Sequence, residues 1–91
     1  MGVVEKTVRI VNRRGLHARA AAKFVRLVEK HKTNVVVVKD GVSVCGSSIM
    51  GLLMLSAGIH SEVRLVAEGD NAAAVLDDLV SLVENRFGEE D

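Results

Sequence analysis

Apolar and polar residues alternate in two stretches of the chain, the pattern of strands that bury one face. The stretches are residues 7–11 (TVRIV) and 62–68 (EVRLVAE). A period of two residues predicts a strand. In the first stretch, Val8 and Ile10 share the face expected to turn inwards. The inward positions of the second stretch are Val63, Leu65 and Ala67.

Two other stretches have apolar residues at helical spacing. A helix is predicted from His17 to about Lys30, and its apolar face consists of Ala21, Phe24, Val25 and Val28. A last helix, capped by Asp70 or Asn71, is predicted to bury Ala72, Val75, Leu76, Leu79 and Val83. We expect Gly88 to end this helix and the final residues, EED, to form a solvated acidic end.

Between these helices the chain predicts a hairpin and a short helix. The run NVVVVKDGVSVCG places β-branched residues on both sides of Asp40-Gly41, a pair typical of tight hairpin turns. Ser47 and Ser48 then precede IMGLLML, which suits a capped helix of one or two turns. The element order is therefore β-α-β-β-(short α)-β-α. This order predicts an α+β open sandwich in which helices cover one face of a four-stranded sheet.

Length and composition exclude several classes of function. With 91 residues, the chain is expected to form one domain, spanning residues 1–91. Twelve basic residues balance twelve acidic ones, and Phe24 and Phe87 are the only aromatics, so we expect no nucleic-acid binding. The single cysteine, Cys45, indicates a reducing compartment. Because the sequence has neither a signal peptide nor a membrane span, we expect a cytoplasmic protein with no membrane partner.

The segment GLHARAAAKFV places His17 where the first helix begins. Unpaired amides at a helix start bind anions, and the dipole there favours the neutral, nucleophilic imidazole. Arg19 could bind phosphoryl oxygens with its planar fork of donors. A basic stripe continues along the helix and comprises Arg19, Lys23, Arg26 and Lys30. This stripe could dock an acidic partner.

Plainer interpretations remain open from the residues alone. A histidine near a helix start is most often just an exposed residue, and a basic helical stripe is usually a solvated face. A metal site built from His17, Cys45 and His60 matches no familiar ligand spacing. A βαββαβ order also suits a small-molecule-binding regulatory module, which would not need His17.

Two motifs, GLHARAAAKFV at 15–25 and SSIMGLLMLSAG at 47–58, resemble the histidine-containing phosphocarrier (HPr) family of the bacterial phosphoenolpyruvate-dependent phosphotransferase system. The resemblance covers nearly the whole chain. It implies an open-faced sandwich with a four-stranded antiparallel sheet and three helices. It also implies a stoichiometric carrier rather than an enzyme, without cofactor or metal. Enzyme I would phosphorylate His17 on Nδ1, and a IIA-type protein would accept the phosphoryl group.

The resemblance assigns further roles by position. Arg19 matches the arginine beside the phosphorylated histidine. Ser48 matches a serine that an ATP-dependent kinase phosphorylates in some members, although Ser47 and Ser48 also suit a plain helix cap. An exposed docking patch for enzyme I and the acceptors is implied at Ile49, Met50 and Leu53. Leu52 and Leu55 are instead expected to fill the core.

One residue departs from the family pattern. Ala20 stands where many members have proline, which leaves the fine geometry around His17 open. The family has a sugar-uptake branch and a nitrogen-related branch (NPr). The low aromatic content, Ala20 and the ENRFGEED end resemble the nitrogen-related branch, but the sequence does not assign the chain to either one. We expect a monomer.

Overall fold

The computed structural model describes residues 2–90 and has the predicted order of elements. The strands are β1 (Val3–Arg9), β2 (Val35–Lys39), β3 (Val42–Cys45) and β4 (Glu62–Glu68). The helices are α1 (Ala18–His31), α2 (Ile49–Met54) and α3 (Ala72–Glu84). A 3-10 turn at Arg86–Gly88, named here the C-terminal turn, follows α3.

The four strands form one antiparallel sheet in the order β1-β4-β2-β3. In the middle of the sheet, Val8 is opposite Val63 and Val37 is opposite Leu65. Helix α3 packs across β1 and β4, α2 packs on β3, and α1 contacts both other helices. The predicted α+β sandwich is therefore confirmed.

Side-chain burial follows the sequence pattern. Every residue predicted to face inwards from β4, α1 and α3 is buried, as are Val8 and Ile10. Asp40 and Gly41 both have positive φ, 51° and 82°, and they join β2 to β3 directly. Positive φ at both central residues defines the predicted tight hairpin turn, which follows the right-handed twist of the strands.

The end of the chain differs from the prediction. Helix α3 stops at Glu84, and Gly88 instead closes the C-terminal turn with φ +79°. Asn71 occupies the N-cap position of α3, but its side chain makes no capping hydrogen bond. Its amide instead contacts His31 Nδ1 at 3.0 Å. The expected solvated acidic end is wrong for Glu89, which folds back onto His17.

No helix within residues 2–90 has the length and apolar character that a bilayer crossing requires.

Candidate functional site

The loop before His17 is held against the segment that follows α2. Leu16 N–H donates to the Ala57 carbonyl at 2.9 Å. Gly15, at φ +67°, comes so close that an added Cβ would lie 2.5 Å from the same carbonyl oxygen. Only glycine accommodates both this φ and this approach. The position of His17 is therefore fixed relative to α2 as well as to α1.

His17 is the N-cap of α1, one residue before the first helical residue. Its carbonyl accepts the first helical bond, from Ala21 N–H at 2.8 Å. Its Nδ1 accepts from Arg19 N–H at 3.3 Å. An imidazole nitrogen that accepts a hydrogen bond carries no proton, so the neutral ring has its proton on Nε2. The lone pair of Nδ1 therefore faces the helix amides, which normally attract an anion.

The second ring nitrogen contacts Glu89, a residue expected from the sequence to be solvated. His17 Nε2 is hydrogen-bonded to Oε2 of Glu89, and the two side chains are only 16% and 20% exposed. Asn12, which is completely buried, donates from Nδ2 to Glu89 Oε1 at 3.0 Å and to the Gly15 carbonyl at 2.8 Å. Asn12 thus links the carboxylate to the loop that carries His17.

The surroundings of Glu89 favour its ionised form. Burial alone would raise the pKa of Glu89, but hydrogen bonds from His17 and Asn12 oppose this effect. Together with the nearby charges of His17 and Arg14, these bonds bring the pKa below its ordinary value. The carboxylate beside Nε2 is therefore negatively charged at neutral pH.

Arginines surround this acidic end. A surface cavity of about 320 Å³ is lined by Arg13, Arg14, Arg19, Glu89 and Glu90. All three arginines are exposed, whereas Glu89 is partly buried. The cavity next to Glu89 is thus lined by three arginines and by two carboxylates of the chain itself.

The predicted basic stripe is only partly free. Arg19, Arg26 and Lys30 are exposed. Lys23 is half-buried, and its ammonium group donates to the Phe87 carbonyl at 2.6 Å. Lys23 therefore attaches the C-terminal turn to α1, a contact that the prediction of a docking role did not include.

Helix α2 has a capped start and an exposed apolar surface. Ser48 is its N-cap, and the hydroxyl oxygen accepts from Gly51 N–H at 3.0 Å. Leu52 and Leu55 are buried as predicted. The α2 patch, as we name it, consists of four exposed residues, Ile49, Met50, Leu53 and Met54. Met54, at 74% exposed, is the most accessible of them and was not singled out from the sequence.

The two remaining histidines lie elsewhere. His31, the last residue of α1, is bonded to Asp78 at 2.8 Å and ties α1 to α3. His60 is exposed in the turn before β4. No three His, Cys, Asp or Glu side chains between residues 2 and 90 come together as a candidate metal site.

Comparison with known proteins identifies the family. A family model described as the PTS HPr component phosphorylation site matches residues 4–85. The chain is 41% identical over 88 residues to the phosphocarrier protein HPr of Treponema pallidum, covering 97% of this chain and all of that protein. It is 36% identical over 89 residues to the phosphocarrier protein NPr of Shewanella violacea, covering 98% of each.

A solved structure supports the same assignment. The crystal structure of HPr-C-His from Thermoanaerobacter tengcongensis superposes with a TM-score of 0.91 at 42% identity, covering 97% of this chain and 99% of that one. Sequence and fold therefore agree over nearly the full length. The chain belongs to the HPr family of phosphocarriers of the phosphotransferase system.

Proposed function

We propose that His17 carries the phosphoryl group, on Nδ1, receiving it from phospho-enzyme I and passing it to a IIA-type protein. The observation that carries this proposal is the position of Nδ1 at the N-cap of α1, with its lone pair towards the helix amides. A phosphoryl group bound there would lie at the positive end of the helix dipole.

The transfer is an in-line displacement. Nδ1 attacks phosphorus, the Nδ1–P bond forms, and the bond between phosphorus and the donor breaks. In the second transfer, the acceptor attacks the same phosphorus and His17 leaves with its electron pair restored. The protein ends unchanged after the two steps and carries one phosphoryl group at a time. Because it is itself the acceptor of the first transfer and the donor of the second, it acts as a stoichiometric intermediate rather than an enzyme.

Arg19 would act through both its backbone and its side chain. Phosphorylation takes the lone pair of Nδ1, so the Arg19 N–H that donates to it is released for a phosphoryl oxygen. The exposed guanidinium can add charge-assisted bonds. Each contribution of the helix dipole is worth about 0.3–1 kcal/mol. Stabilisation of this size suits a group that must be passed on.

Docking is assigned to surfaces around His17. The α2 patch supplies an apolar contact, and methionine side chains adapt to more than one partner. Arg19, Arg26 and, where the C-terminal turn leaves it accessible, Lys23 supply positive charge for acidic partners. The hydrogen bond between Leu16 and Ala57 holds the patch and the histidine in one frame.

Ser48 is proposed as a regulatory site for an ATP-dependent kinase. Its hydroxyl is half-buried at the helix start, next to the α2 patch. A phosphate there adds a charge of about −1.5 to −2, which must be desolvated when an acidic partner docks. Phosphorylation at Ser48 would therefore weaken docking. A monomeric, cytoplasmic protein without cofactor or metal stays our expectation.

Intact mass measurement tests the proposal. The protein is incubated with phosphoenolpyruvate and with purified sugar-type or nitrogen-type enzyme I in parallel. We expect a gain of one phosphoryl group that is lost in acid and absent from His17→Ala. The faster donor identifies the branch. No gain with either donor would refute the carrier function and leave the small-molecule-binding module as the alternative.

A further inference from the structure

We propose that Glu89 is a positioning residue for phosphoryl transfer: it holds the proton of His17 on Nε2 and balances the positive charge that the ring gains when Nδ1 is phosphorylated. This inference rests on the proposed function of His17. It gives a chemical role to the end of the chain, which the sequence pattern placed in solvent.

Two contacts select the same form of the imidazole ring. A neutral imidazole has one nitrogen that donates and one that accepts. The Arg19 N–H needs a lone pair on Nδ1, and the Glu89 carboxylate needs a proton on Nε2. Because a carboxylate only accepts hydrogen bonds, its position beside Nε2 rules out the other neutral tautomer for that geometry. The selected tautomer leaves Nδ1 as the nucleophile.

The Glu89 carboxylate lies on a segment that is fixed to the rest of the fold. Its other oxygen, Oε1, accepts from the buried Asn12 amide at 3.0 Å. Two residues earlier, Phe87 is 1% exposed and anchors the C-terminal turn in the core. Lys23 fixes the carbonyl of the same residue. Both carboxylate oxygens of Glu89 are thus hydrogen-bonded. The segment that carries Glu89 is also held by the buried Phe87 side chain and by the hydrogen bond from Lys23.

The charge balance of the reaction explains why a carboxylate is useful here. When Nδ1 bonds to phosphorus and the donor bond breaks, the proton on Nε2 stays where it is. The ring then carries a positive charge, which Glu89 faces directly. The same charge disappears when the acceptor takes the phosphoryl group. Glu89 therefore stabilises the positive charge that develops on the ring during the first transfer, as a carboxylate does behind other catalytic histidines.

The test compares Glu89→Gln with Glu90→Gln in the full chain. Glutamine at 89 keeps the shape and can still accept a hydrogen bond, but it loses the charge. Glu90 is exposed and next in sequence, so its variant removes the same charge without the contact to His17. A third variant, Glu89→Asp, keeps the charge but shortens the reach to Nε2. Circular dichroism and thermal unfolding verify the fold of each variant.

The test needs two readouts, the tautomer of His17 and the rate of phosphorylation. A merely structural role of Glu89 would change the rate but not the tautomer. Nitrogen-15 NMR reports the tautomer of His17, and rapid-quench mass measurement reports the rate of phosphorylation by phospho-enzyme I between pH 5 and 9. We expect Glu89→Gln and Glu89→Asp to populate the Nε2–H tautomer less. We also expect them to react about 10- to 100-fold more slowly, as when other carboxylate partners of histidine are removed. Glu90→Gln should match the parent protein in both.

Interpretation of the pH profile must also take the charges in the cavity next to Glu89 into account. Besides Glu89, these are the groups that line the adjoining cavity, Arg13, Arg14, Arg19 and Glu90. A changed profile in Glu89→Gln but not in Glu90→Gln would therefore point to the contact between Glu89 and Nε2.

Three results would overturn the inference. They are an unchanged tautomer and rate in Glu89→Gln, an equal loss of rate in Glu90→Gln, and a faster reaction in Glu89→Gln. The last would show that Glu89 competes with the phosphoryl group for the arginines. If the parent protein accepts no phosphoryl group, the proposed function fails and the transfer role of Glu89 fails with it. The NMR comparison then decides separately whether Glu89 sets the tautomer.

Discussion

Lys23 on α1 and Phe87 in the C-terminal turn are joined by a hydrogen bond from the lysine ammonium to the backbone carbonyl, 2.6 Å long. The bond fixes the segment that places Glu89 next to His17. Lys23→Met keeps most of the apolar stem but removes the donor. We expect the free energy of unfolding to fall by about 1–2 kcal/mol, since a charged donor is lost from a half-buried carbonyl contact. Urea unfolding measures this change.

The matched control for Lys23→Met is Lys30→Met. Lys30 lies on the same helix and is exposed, so its replacement should change stability by no more than about 0.5 kcal/mol. Equal losses in the two variants would mean that the contact with Phe87 contributes nothing measurable.

Gly15→Ala should strain the loop that carries His17. The new Cβ would lie 2.5 Å from the Ala57 carbonyl oxygen, at a φ of +67° that alanine disfavours. We expect a loss of about 2–3 kcal/mol in the free energy of unfolding and slower phosphorylation of His17. Thermal or urea unfolding and the mass assay measure the two effects.

Gly41→Ala separates strain from crowding. Gly41 also has positive φ, +82°, but nothing lies within 4 Å of an added Cβ. This variant should cost only the conformational strain, about 1–2 kcal/mol, and leave phosphorylation unchanged. If Gly41→Ala were as harmful as Gly15→Ala, the close approach to Ala57 would not be the cause.

The two roles of Ser48 can be separated by substitution. Ser48→Ala removes the acceptor for Gly51 N–H and should lower stability by about 1 kcal/mol. Ser48→Asp keeps a capping acceptor and should keep the stability, but it places a negative charge next to the α2 patch. We therefore expect Ser48→Asp to react more slowly with phospho-enzyme I in the mass assay.

The neighbouring serine supplies the control for Ser48. Ser47 is exposed and precedes the cap, so Ser47→Ala and Ser47→Asp should leave stability nearly unchanged. A Ser48→Asp protein that accepts phosphate at the parent rate would contradict the regulatory role.

The sequence predicted the elements whose signals are local. Alternation located β4, the helical spacing located α1 and α3, and the Asp40-Gly41 pair located the hairpin, because each of these patterns repeats within a few residues. His17 became a candidate for the same reason, since its position before an apolar helix is a local signal, but its proposed role as the phosphorylated residue required the family resemblance. The exposed face of α2 required the family resemblance, because its apolar residues alone also suit a core.

The side-chain network around His17 could not be predicted in this way. Asn12 and Glu89 are separated by 77 positions, and no periodic pattern connects them. Glu89 lies in the acidic stretch that follows Gly88. The composition of this stretch predicts that its side chains are exposed to solvent. The burial of Glu89 depends on the positive φ values at Arg86 and Phe87, which turn the chain back after α3. Such a reversal is set by tertiary packing rather than by local preference.

Acidification should weaken the contact between Glu89 and the rest of the site. Because the folded-state pKa of Glu89 is lowered, the unfolded chain takes up this proton first as pH falls. The stabilisation is therefore complete above the ordinary glutamate pKa of about 4.3, and it is lost as pH falls through the lower folded-state pKa. Urea unfolding of the parent protein and Glu89→Gln should show a stability difference that shrinks as pH falls below about 4.3. A difference that fails to shrink below about pH 4.3 would contradict the assignment.

The separation of 72 positions between His17 and Glu89 also affects how the molecule reaches its working state. A contact between distant parts of a chain forms only when the entropic cost of closing the intervening loop has been offset. Helix α1 can form from neighbouring residues, whereas the pairing at Nε2 requires the sheet, α3 and the C-terminal turn to be in place. We expect this pairing to be among the last native contacts to form, so that a partly folded chain presents a histidine but not a finished phosphoryl acceptor.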